Sequence, residues 1–248
     1  MYNFDGKTVL ITGCSSGIGK ALSEHYKLSG ANVLGIDLKE PTLDIDFYKS
    51  DITDYMNIRR VIEKISNKYK KIDIVLANAG VVPKWSNIYD TDYEEWDKVF
   101  KINVKGVVIT IKECFEMLKI NGGSIVITGS INSVNGHSKQ NLYTASKHAL
   151  VGILKCSSID LGRHNIRINM VGPGPVLTEA MNDRLDYREK MGIAKKNDTI
   201  NKFKSNNSLN QITTEKDVVD SVMFLTSEYS KNINGQFLQV CGGTFRME

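Results

Sequence analysis

Residues 7–22, "KTVLITGCSSGIGKAL", constrain the fold more than any other stretch. A short β-branched run, "KTVLIT", reads as a buried strand. Gly13, Gly17 and Gly19 then separate it from the helical "GKALSEHYKLSG", which Gly30 stops. Strand-length and helix-length segments go on alternating after it. "NVLGID" is the next strand. "MNIRRVIEKISNKY" sets Ile58, Val61, Ile62 and Ile65 on one helical stripe, and "KIDIVLANAG" is a buried strand ending in a turn. "YEEWDKVFKINVKGVVITIKECFEMLK" is a long helical stretch with a glycine inside it. "GGSIVITGS" is another strand, followed by a helix over about residues 141–161. "NIRINMVGPGP" is a strand broken by Pro173. Thr214 with Asp217 marks a helix start before "VVDSVMFLTS", and "GQFLQVCGG" closes as a strand. Such alternation implies an α/β fold: a Rossmann-type doubly wound parallel sheet with helices on both faces. No linker-like or low-complexity stretch divides the chain, so residues 1–248 read as one domain. Residues 178–211 differ, being polar, rich in Lys, Arg and Asn, and without a strong apolar period. Following a "GPG" break at a strand end, they read as a mobile lid or substrate loop; the plain alternative is a solvated helical excursion.

The glycine turn has the context of a phosphate site, with a strand before it and a helix after it. Gly13 permits a sharp exit from the strand. Gly17 and Gly19 remove side chains where a pyrophosphate approaches N–H groups at a helix N-terminus. Ser15 and Ser16 add hydroxyl donors, and Ile18 completes the turn. A structural turn without ligand is the alternative. Asp37 ends the second strand, 18 residues after Gly19, where an acid accepts hydrogen bonds from adenosine ribose hydroxyls. It would repel a 2′-phosphate, which favours NAD over NADP, although Lys20 and Lys39 are nearby cations. Leu38 follows it at the same edge. Asp51 follows the third strand and could hold the adenine amino group, with Ile52 beside the ring; Asp51 could equally be a helix N-cap.

Composition excludes several classes. The net charge of +4 is spread along the chain and argues for no nucleic-acid partner. No apolar run reaches the roughly 18–20 residues of a membrane span. The N-terminal "MYNFDGKTVLITG" does not read as a secretory signal. Cys14, Cys114, Cys156 and Cys241 lie far apart, and neither they nor the histidines have metal-ligand spacing. A reduced, cytoplasmic, metal-free protein is expected.

In "NLYTASKHAL", Tyr143 and Lys147 are four apart on a helical stretch and share a face. Alone, that is an ordinary amphipathic pair. Together with "TGCSSGIG", "NAG" at 78–80, Asn103, Ser130 and "GPG" at 172–174, it resembles the short-chain dehydrogenases/reductases in order and spacing, across essentially the whole chain. The resemblance implies that Tyr143 is the acid–base, donating a proton to a carbonyl oxygen or taking one from an alcohol. A lysine cation about 4 Å away, at an effective dielectric near 20, would lower the phenol's pKa from about 10 by roughly 3 units, against burial. By the same likeness Lys147 bonds the nicotinamide ribose, Ser130 positions the substrate oxygen and Asn103 holds a water linking Lys147 to solvent. Asn78, Ala79 and Gly80 line the riboses; Pro173, Gly174, Val176 and Thr178 hold the carboxamide and pyrophosphate. Members usually form tetramers, so a homo-oligomer, tetramer or dimer, is expected.

Three departures stand out. Only 13 residues separate Asp37 from Asp51, so the helix usual there is truncated. Cys241 replaces an acid common before the final glycines, and "LKINGG" is less basic than docking of an acyl carrier protein requires. The expected activity is NAD(H)-dependent interconversion of a secondary alcohol (polyol, sugar, hydroxy acid or similar) and a ketone, with a small-molecule substrate. A 3-oxoacyl-[acyl-carrier-protein] reductase-like enzyme is the alternative, drawing on Lys195, Lys196, Lys202 and Lys204, though a solvated surface explains those lysines too. A non-catalytic NAD-binding sensor is the alternative of another class. Trp85, Tyr187 and His137 could border a substrate pocket.

Overall fold

The computed structural model describes residues 2–244. Along the chain the strands are β1 (Thr8–Thr12), β2 (Asn32–Asp37), β3 (Asp46–Lys49), β4 (Ile74–Ala77), β5 (Gly123–Thr128), β6 (Ile166–Pro173) and β7 (Phe237–Val240). They form one sheet in the order β3-β2-β1-β4-β5-β6-β7, every pair parallel. The doubly wound α/β reading therefore holds.

Parallel strands need crossovers, and the helices supply them on both faces. On one face lie α2 (Tyr55–Lys68), α4 (Gly106–Leu118) and α5 (Asn141–Gly162). The stripe Ile58, Val61, Ile62 and Ile65 of α2 packs there with Leu10, Val75, Ile125 and Ile168. On the other face, α1 (Gly17–Leu28) and α8 (Glu215–Thr226) bury Leu22, Tyr26, Val218 and Val222 against Val9, Ile11 and Val171. Alternate residues of β1 thus feed opposite cores, as a pleat requires. Full burial of each such aliphatic side chain contributes about 1.5–3 kcal/mol, which is why the strand interiors are mainly aliphatic.

Local signals explain the boundaries. Thr214 and Asp217 exchange hydrogen bonds in a capping box, Asp217 N–H donating to Thr214 Oγ1 at 3.2 Å and Thr214 N–H to Asp217 Oδ2 at 2.8 Å. The segment between β2 and β3 crosses without a helix, as its short length demands. The long helical stretch is α3 (Tyr93–Phe100) and α4 joined by a π turn at Lys101–Lys105, which contains Asn103. Residues 178–211 are helical over most of their length, as α6 (Glu179–Lys190) and α7 (Lys196–Asn206). Their apolar period is weak because α6 buries only Leu185 and α7 buries nothing.

β1 neighbours both β2 and β4, so the strand order reverses there. In such sheets ligands bind outside the carboxyl ends of the strands at that reversal.

Candidate active site

A cavity of about 440 Å³ opens at that reversal. Of the turn candidates, Gly13, Ser16, Gly17, Ile18 and Gly19 line it; so do Asp37, Leu38, Asp51 and Ile52 at the β2–β3 edge. Asn78, Ala79, Gly80, Ser130, Tyr143 and Lys147 form its middle, and Pro173, Gly174, Val176 and Thr178 its far wall. Ser15 and Asn103 stand behind that lining.

The turn is held from within the protein. Gly13 leaves β1 at φ +70°, which a side chain disfavours, and its N–H donates to Ile36 O at 2.8 Å. A Cβ on Gly19 would lie 1.8 Å from Gly13 O and 2.6 Å from Asn78 Nδ2. Gly19 therefore also seats α1 closely on the turn, besides lining the cavity. The Ser15 hydroxyl is likewise taken, donating to Lys39 O, so it is no free donor. Ser16 caps α1 without a side-chain bond, and the first-turn N–H groups of a helix have no intrahelical partners.

Asp37 is fixed by three N–H groups: Ser15 at 3.0 Å, Leu38 at 2.6 Å and Lys39 at 3.2 Å. Its charge is thereby held at the cavity edge. Asp51 accepts from Thr53 N–H at 2.8 Å. It is not a helix N-cap: Asp54 caps α2, accepting from Asn57 N–H at 3.1 Å. Asn78 ties three strand ends together. Its Nδ2 donates to Thr12 O at 3.1 Å, and its Oδ1 accepts from Thr128 Oγ1 at 3.0 Å.

Tyr143 and Lys147 face the cavity from the first turns of α5, and the Ser130 side chain stands beside Tyr143 from beyond β5. Lys147 is buried and donates to Thr128 O at 2.9 Å. Asn103 works as a clamp. Its Nδ2 donates to Val81 O at 2.9 Å and to Ser146 Oγ at 3.2 Å, and its Oδ1 accepts from Val81 N–H at 2.8 Å. Both amide protons are spent, so a water could be held only through an oxygen lone pair. Cys241 is buried against Gly174, its Cβ 3.1 Å from where a Cβ on that glycine would sit, so the close approach relies on glycine at 174.

A family model described as enoyl-(acyl carrier protein) reductase matches residues 13–244, from the glycine turn to the end of the described chain. The chain belongs to the short-chain dehydrogenases/reductases. Short-chain dehydrogenase reductase 5 of Arabidopsis thaliana is 33% identical to it over 258 residues, covering 96% of this chain and 94% of that one. The 3-oxoacyl-[acyl-carrier-protein] reductase FabG of Thermotoga maritima is 31% identical over 252 residues, covering 96% and 98%. A Francisella tularensis short-chain dehydrogenase family protein superposes with a TM-score of 0.88 at 31% identity, covering 96% of this chain and 98% of that one. The ligand-free aldohexose dehydrogenase of Thermoplasma acidophilum, with a TM-score of 0.92 at 24% identity and coverages of 98% and 96%, shares the fold. Members of this oxidoreductase family bind a nicotinamide cofactor, NAD or NADP.

The electrostatics of this short-chain dehydrogenase/reductase differ from the expected pairing. Burial raises the Tyr143 pKa above its ordinary value; the Ser130 hydrogen bond and the Arg184 charge pull it back only in part. Lys147 has a strand-end partner of its own. Its Nζ points at the Thr128 carbonyl, 5.7 Å from the Tyr143 ring centroid, and burial brings its own pKa down to about 8. Desolvation is the largest influence on both groups.

Sequence reasoning missed Val81, Val82, Ile102, Thr128, Gly129 and Met181 in the cavity wall, and Arg184 beside it. Trp85 packs beneath Arg188, whereas His137 lines a separate surface pocket and Tyr187 is exposed. Among the described residues, no group of three His, Cys, Asp or Glu side chains could hold a metal, and no helix is long and apolar enough to cross a membrane.

Proposed function

We propose that the protein interconverts a secondary alcohol and a ketone with NAD(H), Tyr143 serving as acid–base. The supporting observation is the convergence of Tyr143, Ser130 and Lys147 on the same continuous cavity as the glycine turn and Asp37.

The residues present fit a dinucleotide. The first turn of α1 offers N–H groups where a pyrophosphate would lie. Asp37, already held by backbone donors, keeps acceptor capacity for ribose hydroxyls and would repel a 2′-phosphate, which favours NAD. A structural neighbour, ElxO, binds NADP, so the family admits either. The Lys147 ammonium has three donors and spends one on Thr128 O, leaving two for the nicotinamide ribose. Thr178 and Val176 close the far wall for the carboxamide. The nicotinamide, when bound, supplies or accepts the hydride at the carbon that bears the reacting oxygen.

The chain's own task is the proton and the geometry. Ser130 holds the substrate oxygen beside Tyr143 Oη, which delivers a proton in reduction and removes one in oxidation. Fixing both groups on rigid strand and helix ends sets the face of attack. Residues 178–211 close over this site as a lid in the same reading, with one domain spanning the chain. Assembly as a homo-oligomer is supported by the exposed Val108 on α4 and Ile159 on α5. A cytoplasmic setting is supported by the free thiols of Cys14, Cys114 and Cys156.

A spectrophotometric screen of NAD- and NADP-linked oxidation across sugars, polyols, hydroxy acids and secondary alcohols tests the proposal. Tyr143→Phe should reduce turnover by at least about 10²-fold while NADH binding persists. Retained turnover refutes the mechanism; cofactor binding without turnover in the unmodified protein favours the sensor reading.

A further inference from the structure

The helix face that enters the cavity continues beyond it. Met181, which lines the cavity, is followed on α6 by Arg184 and Arg188, three and seven residues on, and so on the same face. Arg184 is half-buried and donates from Nη2 to the carbonyl of Val82, itself a cavity residue, at 3.1 Å. Its charge acts on Tyr143, so it lies within electrostatic reach of the phenol. Arg188 lies 4.1 Å over the ring of Trp85, in the loop that carries Val81 and Val82. Two walls, α6 and the loop after β4, thus meet at a pair of guanidinium groups.

That pair is uncompensated. Neither arginine forms an ion pair among the described residues; the carboxylates Asp186 and Glu189 on the same helix are instead engaged with Lys196. Arg188 Nε and Trp85 Nε1 are buried donors without a protein acceptor. A buried N–H left unmade is costly, and two cations side by side repel, so an anion accepting from both walls would stabilise the arrangement. Burial presses the Arg184 pKa down; Tyr143 opposes this and the nearness of Arg188 adds to it.

We propose that Arg184 and Arg188, with Trp85, form the subsite for a carboxylate carried by the substrate, making the natural substrate an oxo acid or hydroxy acid rather than a neutral sugar or terpenoid alcohol. The proposal rests on the oxidoreductase reading and narrows it. One carboxylate offers two oxygens to a planar guanidinium fork and the indole N–H, which suits the donor set. The reaction balances as oxo acid plus reduced nicotinamide plus a proton giving hydroxy acid and oxidised nicotinamide, with hydride to the carbonyl carbon and the proton to its oxygen.

The experiment pairs 2-oxobutyrate, 3-oxobutyrate and 4-oxopentanoate with their methyl esters and measures reduction by NADH and NADPH. It is run on the unmodified protein, Arg184→Met and Arg188→Met. Methionine keeps an unbranched stem against Trp85 while removing the charge. At least one acid should exceed its ester about 10-fold or more in kcat/KM, through KM, and the ratio should fall toward one in either variant. The ratio is internal to each protein, so partial misfolding does not imitate the result. A ratio near one in the unmodified protein, or one unmoved by both substitutions, overturns the proposal. Quenching of tryptophan fluorescence by the same acids without cofactor, in a Trp96→Phe background, gives a second reading. Acid-specific quenching lost in Arg188→Met supports the subsite even if no carbonyl is reduced, a result that would overturn the proposed function alone. Equal response to acids and esters there overturns the subsite.

Discussion

Lys147→Met should make the protein more stable near pH 7 and less stable near pH 11. Lys147 is 5% exposed, and burial lowers its pKa from 10.5 to about 8. Each pKa unit is worth about 1.4 kcal/mol, so keeping the charge buried costs roughly 3 kcal/mol wherever the folded lysine is protonated. The sign follows from proton counts. Between about pH 8 and 10.5 the unfolded chain binds the proton that the folded chain has released, so stability rises with pH through that window. Below it the full penalty applies; above it none remains. Methionine removes the penalty but also the hydrogen bond to Thr128 O at 2.9 Å, worth about 1–2 kcal/mol once its acceptor is orphaned. The variant should therefore gain about 1–2 kcal/mol at pH 7, lose about as much near pH 11, and cross the parent between. Urea unfolding at matched protein concentration over that range reads the difference, in which groups common to both proteins cancel. A variant less stable at pH 7, or curves that run parallel, would refute the burial argument. Turnover should be lost throughout, separating what this lysine does for the reaction from what it does to the fold.

Two further substitutions test the proposed cofactor half of the cavity. Asp37→Ala should erode preference for NADH over NADPH, read as the ratio of kcat/KM values; a parent enzyme that already prefers NADPH would contradict the assignment of this edge. Gly19→Ala drives a Cβ to within 1.8 Å of a backbone oxygen and should cost at least about 2 kcal/mol in urea unfolding with loss of NADH fluorescence enhancement; an unperturbed protein would refute the packing role.

The fold was readable because its signals are local. The β-branched run of β1, the stripe Ile58, Val61, Ile62 and Ile65 and the Thr214–Asp217 box each state their element within a few residues. The cavity's strand-end residues were readable for a related reason: in a parallel sheet, strand ends converge wherever the order reverses, so residues at those ends meet. Partners were not readable where they depend on the third dimension. Nothing in the turn tells that Gly19 faces the Gly13 carbonyl, that Ser15 is spent on Lys39, or that Asp54 rather than Asp51 caps α2. The polar segment after β6 hid its contribution most, because α6 anchors itself through a single buried leucine and leaves no apolar period to read.

This matters most for the phenol. Lysine four residues away is the neighbour a helical wheel offers, yet it faces a strand-end carbonyl and carries a depressed pKa of its own. The groups that pull the Tyr143 pKa down are Ser130, reaching from beyond β5, and Arg184, reaching from α6. The proposed acid–base centre thus draws on three separate elements, α5, the segment after β5 and α6. A change in the position of α6 changes the charge felt by the phenol as well as the shape of the cavity. Binding that draws α6 inward would bring Arg184 closer to Tyr143 and lower its pKa toward the working range, where proton transfer is efficient. The proton step and the recognition of the substrate would then share one helix, so substitutions on α6 should move the pH profile and the choice of substrate together.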